Sequence, residues 1–390
     1  MHFDIEPDVT RARTLDKRFY LDGEAWTLAR ERIFARAWCW IGDLADVATP
    51  GSVSPRTLLP GLLDEPLLLA RDASGTGAAS AGTLRCLSNV CTHRGNLLVH
   101  EAATGVSGIR CGYHARRFDL AGRMTFMPGF EGACDFPAAS DHLPEVAFEA
   151  WHGHGFARAQ AAAALPSPSG PPTLAELLAP IAPRIGLAGL AGIDNWRRDP
   201  ARDRSFEFEA HWALYVENYL EGLHIPHLHP GLAAAIDMAS YRYELFPWCN
   251  LQVARARPGE PAFAPAPRPA GSPREPGAPQ EVEPIGAYYF WVWPNLMLNF
   301  YPWGLSLNLV LPLSPTRTRV LFRGYVRDPS LTTRGAGGAL DPVEMEDEAV
   351  VLTVQQGLRS RLYDRGRYSP RHERGVHHFH RLIAAAMAAG

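Results

Sequence analysis

The stretch CTHRGNLLVHEAATGVSGIRCGYH, residues 91–114, carries two matched cysteine–histidine pairs, Cys91-x-His93 and Cys111-x2-His114, with 17 residues between His93 and Cys111. Two thiolates and two imidazoles on two short loops make a four-ligand metal site. Gly95 and Gly112 lie beside the ligands. A missing Cβ there would let backbone N–H groups approach the sulfurs and stabilise a more negative, reduced state. Short strand-like runs fill this part of the chain. EPLLLARD (65–72) and LRCLSNV (84–90) are such runs, divided by Gly, Pro and Ser. They predict a small antiparallel β domain over residues 38–160.

Three readings of the quartet compete. One is a Rieske-type [2Fe–2S] cluster, with Cys91 and Cys111 on one iron and His93 and His114 on the other. Another is a structural Cys2His2 zinc site, and the third is chance. Ligand counting does not separate iron–sulfur from zinc. The surroundings do, because an electron-carrying cluster needs somewhere to send its electron.

Composition narrows the rest. The chain has 390 residues, 46% of them hydrophobic, enough for a sizeable core and about two domains. A net charge of −3 argues against a nucleic-acid surface or an anionic membrane partner. MHFDIEPDVTRARTLD has acidic residues and no apolar stretch, so no secretory signal is expected. No apolar run reaches the roughly 18–20 residues that span a bilayer. Six cysteines in so long a chain are not a disulfide framework, which points to a cytoplasmic location.

Residues 1–37 form an N-terminal helical segment, with DGEAWTLARERIFARAW (22–38) at helical spacing and Asp22 or Gly23 at its start. Residues 161–200 are an Ala/Pro-rich linker, and 201–390 a second domain. There SFEFEAHW (205–212) reads as a strand, residues 254–279 as a mobile surface loop, and 286–326 as strand after strand with Pro294-Asn295 at the first turn. PVEMEDEAVVLTVQQGLRSRLYD (342–364) has helical periodicity. The coarse picture is α+β, a sheet flanked by helices.

That second domain contains ENYLEGLHIPHLHP, residues 217–230. On a helix Glu217, Asn218, Glu221 and His224 share one face. His229 would point about 140° away from His224 on an unbroken helix, but Pro226 ends or kinks it and lets the chain swing His229 back. His227 is the rival ligand. Two histidines and a carboxylate with open positions form the facial triad of non-haem Fe(II) sites. The acidic run offers Glu344, Glu346, Asp347 and Glu348 as the third ligand. Asn218 and Glu221 are the catalytic candidates.

Taken together, CTHRGN, CGYHARRFDLAGR and ENYLEGLHIPHLHP resemble the catalytic α subunit of Rieske non-haem iron oxygenases, the aromatic ring-hydroxylating oxygenases. RIFARAWCWIGDLADVATPGS, YFWVWPNLMLNFY and VQQGLRSRLYDRGRYSPRHERGVHHFH extend the likeness over nearly the whole chain, toward the choline-monooxygenase-like branch. The resemblance implies a Rieske domain followed by a helix-grip, START-like catalytic domain. It implies Cys91, His93, Cys111 and His114 as cluster ligands, and His224, His229 and Asp347 as ligands of a mononuclear Fe(II). Asp347 is selected by its place eight residues before Gln355. Glu221 falls where the family has an acid bridging the two metal centres. The family's usual Gly-Trp after the last cluster histidine is Ala115-Arg116 here. Arg116 and Arg117 are expected at the rim, where they would attract an acidic electron donor.

The implied activity is that of a terminal oxygenase. Electrons from NAD(P)H arrive through a separate reductase, sometimes with a ferredoxin, and the chain has no GxGxxG fingerprint or flavin site of its own. The family uses the cluster of one protomer with the iron of the next, which implies a homotrimer with Glu221 bridging across the interface. The substrate is a small aromatic or quaternary amine, hydroxylated or oxidatively demethylated. Tyr288, Tyr289, Phe290, Trp291, Trp293, Phe300, Tyr301 and Trp303 crowd one hairpin, half of them able to line a pocket. The alternatives are cis-dihydroxylation of an aromatic ring, a simple electron carrier, and a zinc-stabilised ligand-binding protein without catalysis.

Overall fold

Short apolar runs broken by Gly, Pro and Ser pair most readily with near neighbours, and the first part of the chain does so. The computed structural model describes residues 1–72, 82–161, 172–187, 192–263 and 283–389. These form two compact units, Phe34–Leu174 on one side and Met1–Ile33 with Ala175–Gly390 on the other.

The Phe34–Leu174 unit contains strands β1 (Cys39–Asp43), β2 (Ser52–Leu58), β3 (Glu65–Arg71), β4 (Leu84–Ser88), β5 (Ile109–Arg110), β6 (Arg117–Phe118), β7 (Met124–Phe126), β8 (Val146–Trp151) and β9 (His154–Ala161). They make three small sheets in the orders β1-β9-β8, β2-β3-β4 and β5-β6-β7, all antiparallel. Leu68, Leu87, Ile109, Phe118 and Met124 meet in one core, and Cys91 and Cys111 belong to it.

The other unit opens with helices α1 (Arg18–Leu21) and α2 (Gly23–Ala29). Asp22 caps α2 by accepting from Glu24 N at 2.7 Å. The helix expected over 22–38 is shorter, because a π-turn at Arg30–Phe34 follows α2 and Cys39 already lies in β1. Helices α3 (Leu174–Leu178) and α4 (Ile181–Leu187) fall within the stretch expected as a linker.

The large sheet comprises β10 (Arg197–Phe208), β11 (Ile236–Phe246), β12 (Cys249–Ala256), β13 (Ile285–Val292), β14 (Leu296–Tyr301), β15 (Gly304–Ser314) and β16 (Arg317–Val326). Its order is β10-β16-β15-β14-β13-β12-β11, and every pairing is antiparallel. The expected α+β architecture with a large antiparallel sheet is what the chain adopts, and the turn at Pro294-Asn295 separates β13 from β14. Most of the loop expected over 254–279 lies outside the described residues, and its first three residues belong to β12 or border it.

This order positions the site. β10 and β11 are the two edge strands, so the chain between them must cross the whole sheet. It does so through α5 (Trp212–Tyr219), α6 (Ile225–Leu228) and α7 (Pro230–Ala235). Tyr219 anchors the crossing by donating to Asn299 Oδ1 at 2.6 Å and sharing its hydroxyl with Phe290 O at 3.1 Å. Helix α8 (Leu340–Gly357) lies alongside α5, where Gln355 Oε1 accepts from His211 N at 2.8 Å and Tyr215 donates to Glu344 Oε2 at 2.6 Å. Helix α9 (Arg374–Ala388) presses Phe379 onto Trp212 and Trp291.

His211 ends the expected strand early. Its Nδ1 accepts from Ala213 N at 3.3 Å and so caps α5. The ring is fully buried, and burial lowers its pKa to about 3. The unfolded chain therefore binds a proton near pH 6.5 that the folded chain refuses. Stability is full above that pH and falls as pH drops toward the folded value. Between pH 7.5 and 5.5 the parent should lose about 1.4 kcal/mol more than His211→Asn, which keeps a capping side chain. Urea unfolding of both proteins at the two pH values checks this.

Candidate functional site

The two cysteine–histidine loops fold back in the same way. Cys91 N donates to Asn96 O at 2.8 Å and Gly95 N to Cys91 O at 3.0 Å. Cys111 N donates to Arg116 O at 2.8 Å and Ala115 N to Cys111 O at 3.2 Å. Each turn needs a left-handed residue, which is Gly95 at φ 70° in one and Ala115 at φ 61° in the other. Glycine adopts that conformation freely, and alanine does so against its Cβ. Both cysteines are 2% exposed, and the rings of His93 and His114 lie with centroids 4.7 Å apart.

Cys111 Sγ accepts from Tyr113 N at 3.5 Å and from Asn96 Nδ2 at 3.6 Å. The expectation that backbone N–H groups beside the glycines approach the sulfurs holds at Tyr113, the residue after Gly112. Gly95 N itself is occupied by Cys91 O, and Asn96 adds a side-chain donor to Cys111. Arg116 is also corrected. It is 2% exposed and bonded to Asp141 and Thr92, whereas Arg117 is exposed and stacks on Phe126.

A tetrahedral zinc site draws all its donors to within about 4 Å of each other. Among the described residues, the one group of three or more His, Cys, Asp or Glu donors lying within 4.8 Å of one another is His224, His229 and Asp347. The cysteine–histidine quartet is not that compact. It suits a two-iron cluster with a pair of ligands at each end.

His224, His229 and Asp347 come together because each imidazole is gripped from behind. Glu221 Oε1 hydrogen-bonds His224 Nδ1, and His229 Nδ1 donates to Glu346 Oε2 at 2.6 Å. Both rings then aim Nε2 at Asp347 Oδ1, His229 at 2.9 Å and His224 at 3.7 Å. Carboxylate partners of this kind fix ring orientation and raise ligand basicity. The donor set of two imidazoles and one carboxylate, open on one side, fits a mononuclear Fe(II).

The helix does not run through the site as expected. α5 ends at Tyr219, so Glu221 and His224 lie in the turn beyond it, and Pro226 sits in the first turn of α6 rather than ending a helix. Proline is tolerated there because that N–H has no intrahelical partner. His227 is exposed and outside the cluster of donors.

A cavity opens beside these donors. Tyr219, Tyr241, Tyr289 and Tyr301 line it, with Asn218, Asn299 and Glu344. Of the aromatic hairpin only Tyr289 and Tyr301 reach it, while Trp291 packs on Phe379 and Tyr288 on Phe263. The hydroxyl of Tyr289 and Oε1 of Glu344 are buried with no hydrogen-bond partner among the described residues. Burial raises the Glu344 pKa well above the usual carboxylate range.

Residues 193–389 match the family described as ring hydroxylating alpha subunit (catalytic domain), and residues 37–137 match the Rieske [2Fe-2S] domain. The chain belongs to this family of Rieske non-haem iron oxygenases, enzymes whose cofactors are a [2Fe–2S] cluster and a mononuclear iron. It is 28% identical to the chloroplastic choline monooxygenase of Arabidopsis thaliana, over 98% of this chain and 84% of that one. It is 26% identical to the carnitine monooxygenase oxygenase subunit of Escherichia coli K12, over 96% and 93%. Among solved structures, a quaternary ammonium Rieske monooxygenase superposes with a TM-score of 0.74 at 23% identity, covering 98% of this chain and 99% of that one. A naphthalene 1,2-dioxygenase superposes at 0.66 and 16%, covering 97% and 93%. The chain is a terminal oxygenase that takes its electrons from a separate reductase.

Glu346, by sequence only a rival iron ligand, instead holds His229. Adjacent positions on a helix point about 100° apart, and nothing in the pattern shows that His229 sits between them. Removing that hold by Glu346→Ala should weaken mononuclear iron binding roughly 10- to 100-fold. Iron titration followed by metal analysis should show it, with the visible bands of the cluster unchanged.

Proposed function

We propose that His224, His229 and Asp347 hold the mononuclear iron, that Cys91, His93, Cys111 and His114 hold the cluster, and that the substrate is a compact amine carrying a positive charge. When bound, the cluster carries one electron at a time and the iron binds and activates O2. The observation that carries the substrate reading is the tyrosine-lined cavity beside the metal donors. Aromatic faces attract ammonium groups, by about 2 kcal/mol or more once desolvated. Names of the relatives, choline and carnitine monooxygenases, support the same class.

The chain's own residues do the positioning. Tyr219 is locked by Asn299, and Gln252 Nε2 donates to Tyr219 O at 2.6 Å, so this wall is preorganised. Asn218 lies in the cavity wall, and the Tyr289 hydroxyl is free to meet a polar group of the substrate. Glu221 and Glu346 keep the Nδ1 protons of the two histidines, so that Nε2 stays available.

Residues 38–160 serve as the cluster domain and 201–390 as the catalytic domain, in a cytoplasmic homotrimer served by an NAD(P)H-dependent reductase, with or without a ferredoxin. Unpaired cysteines and inter-subunit electron transfer in the quaternary ammonium Rieske monooxygenase support this arrangement. Glu221 then bridges the iron of one protomer to the cluster of its neighbour.

The test supplies the loaded enzyme with a surrogate reductase, NADH and O2, and follows a panel of quaternary and tertiary amines and flat aromatics by mass. Amines should gain one oxygen atom or lose a methyl group as aldehyde. Tyr289→Leu should raise KM for the best amine about fivefold, equivalent to about 1 kcal/mol of cation–π attraction. Turnover of aromatics alone, with two oxygen atoms gained, would replace this reading by cis-dihydroxylation.

A further inference from the structure

Behind the cysteine–histidine quartet stands a charged side chain. Arg116 is 2% exposed, and its guanidinium lies 5.8 Å and 5.6 Å from the ring centroids of Phe130 and Phe136. Nη1 donates to Thr92 Oγ1 at 2.7 Å, and Thr92 is the residue between Cys91 and His93. The carbonyl of Arg116 accepts from Cys111 N at 2.8 Å. One residue thus touches both ligand loops.

Its counter-ion is Asp141. Arg116 Nη2 donates to Asp141 Oδ1 at 3.1 Å, and Asp141 Oδ2 accepts from Ala138 N at 2.8 Å. The two charges are not equally placed. The arginine side chain is 2% exposed and the aspartate 19%. Water screens the carboxylate more than the guanidinium, so the pair leaves a net positive field on its buried side. Nε of Arg116 has no hydrogen-bond partner among the described residues. A buried cation so incompletely compensated is costly, and a neutral side chain could tie the loops with less penalty.

We propose that Arg116 is a positioning residue whose buried charge raises the reduction potential of the cluster between the two loops. The proposal rests on the quartet holding a [2Fe–2S] cluster. One electron from the external one-electron donor turns one ferric ion ferrous, and the net charge of the cluster with its ligands falls by one. A nearby cation stabilises that more negative state over the oxidised one. Asp141 acts in the opposite sense, more weakly because it is nearer solvent. The structural role of the arginine is to bind Thr92, and its electrical role is separate from that.

Spectroelectrochemical titration of the holoenzyme at one fixed pH tests this, with the electron paramagnetic resonance signal of the reduced cluster recorded for each protein. Arg116→Met should make the cluster about tenfold harder to reduce, ~59 mV for one electron. Arg116→Lys should keep most of the parent's potential, and Asp141→Asn should move it upward. A potential unchanged in Arg116→Met, or lowered in Asp141→Asn, overturns the proposal in favour of a purely structural clamp. If Arg116→Met fails to assemble, the sign of the Asp141→Asn shift decides. A parent protein with no reduced-cluster signal would bring down the cluster assignment itself, an outcome distinct from an intact signal at an unshifted potential.

Discussion

An imidazole rotates freely until something holds its far nitrogen, and the catalytic unit depends on two carboxylates that do so. Glu221 bonds His224 Nδ1 and Glu346 bonds His229 Nδ1, so both Nε2 atoms turn toward Asp347. The arrangement draws on two distant stretches of chain. Glu221 comes from the turn after α5, and Glu346 and Asp347 from α8 more than a hundred residues later. It exists only because α5 and α8 lie side by side, joined by His211 to Gln355 and Tyr215 to Glu344.

The large sheet makes that meeting unavoidable. Its edge strands, β10 and β11, are joined by the segment that carries His224 and His229, which must therefore lie across the sheet. Tyr219 pins the crossing to β14, and the inner strands β13 and β14 are buried along their whole length. The same face presents Tyr289 and Tyr301 to the cavity, so the side chains that pack the sheet also line it. In the other unit a comparable economy holds. Two loops of identical closure place their cysteines in the hydrophobic core and leave the histidines half-exposed, an arrangement suited to passing electrons at the surface while shielding the sulfurs.

Much of this was legible in the sequence. The paired Cys-His spacing, the proline among histidines and the Pro294-Asn295 turn are local signals, and local geometry follows from them. The α+β class followed from alternation and periodicity. What was not legible depends on contacts distant in the chain. Arg116, expected at the surface because arginines usually are, is buried because Asp141 and Thr92 receive it. The end of α5 at Tyr219 was hidden because apolar spacing continues through Leu220 and Leu223, and no glycine or proline interrupts it before Gly222. The hairpin aromatics could not be divided between pocket and core by alternation alone. Tyr289 and Trp291 share a face of β13, and only the helices above decide which meets the cavity.

On the proposed assignment, the electron of the cluster leaves only through the iron that His224, His229 and Asp347 would hold. The most direct measurement is a single turnover of protein reduced in advance and freed of reductase. It is mixed with substrate and O2, and cluster oxidation is followed by rapid freezing and paramagnetic resonance. The cluster should oxidise fast in the parent and stay reduced on the same timescale in Asp347→Ala. Equal oxidation rates in the two proteins would contradict it.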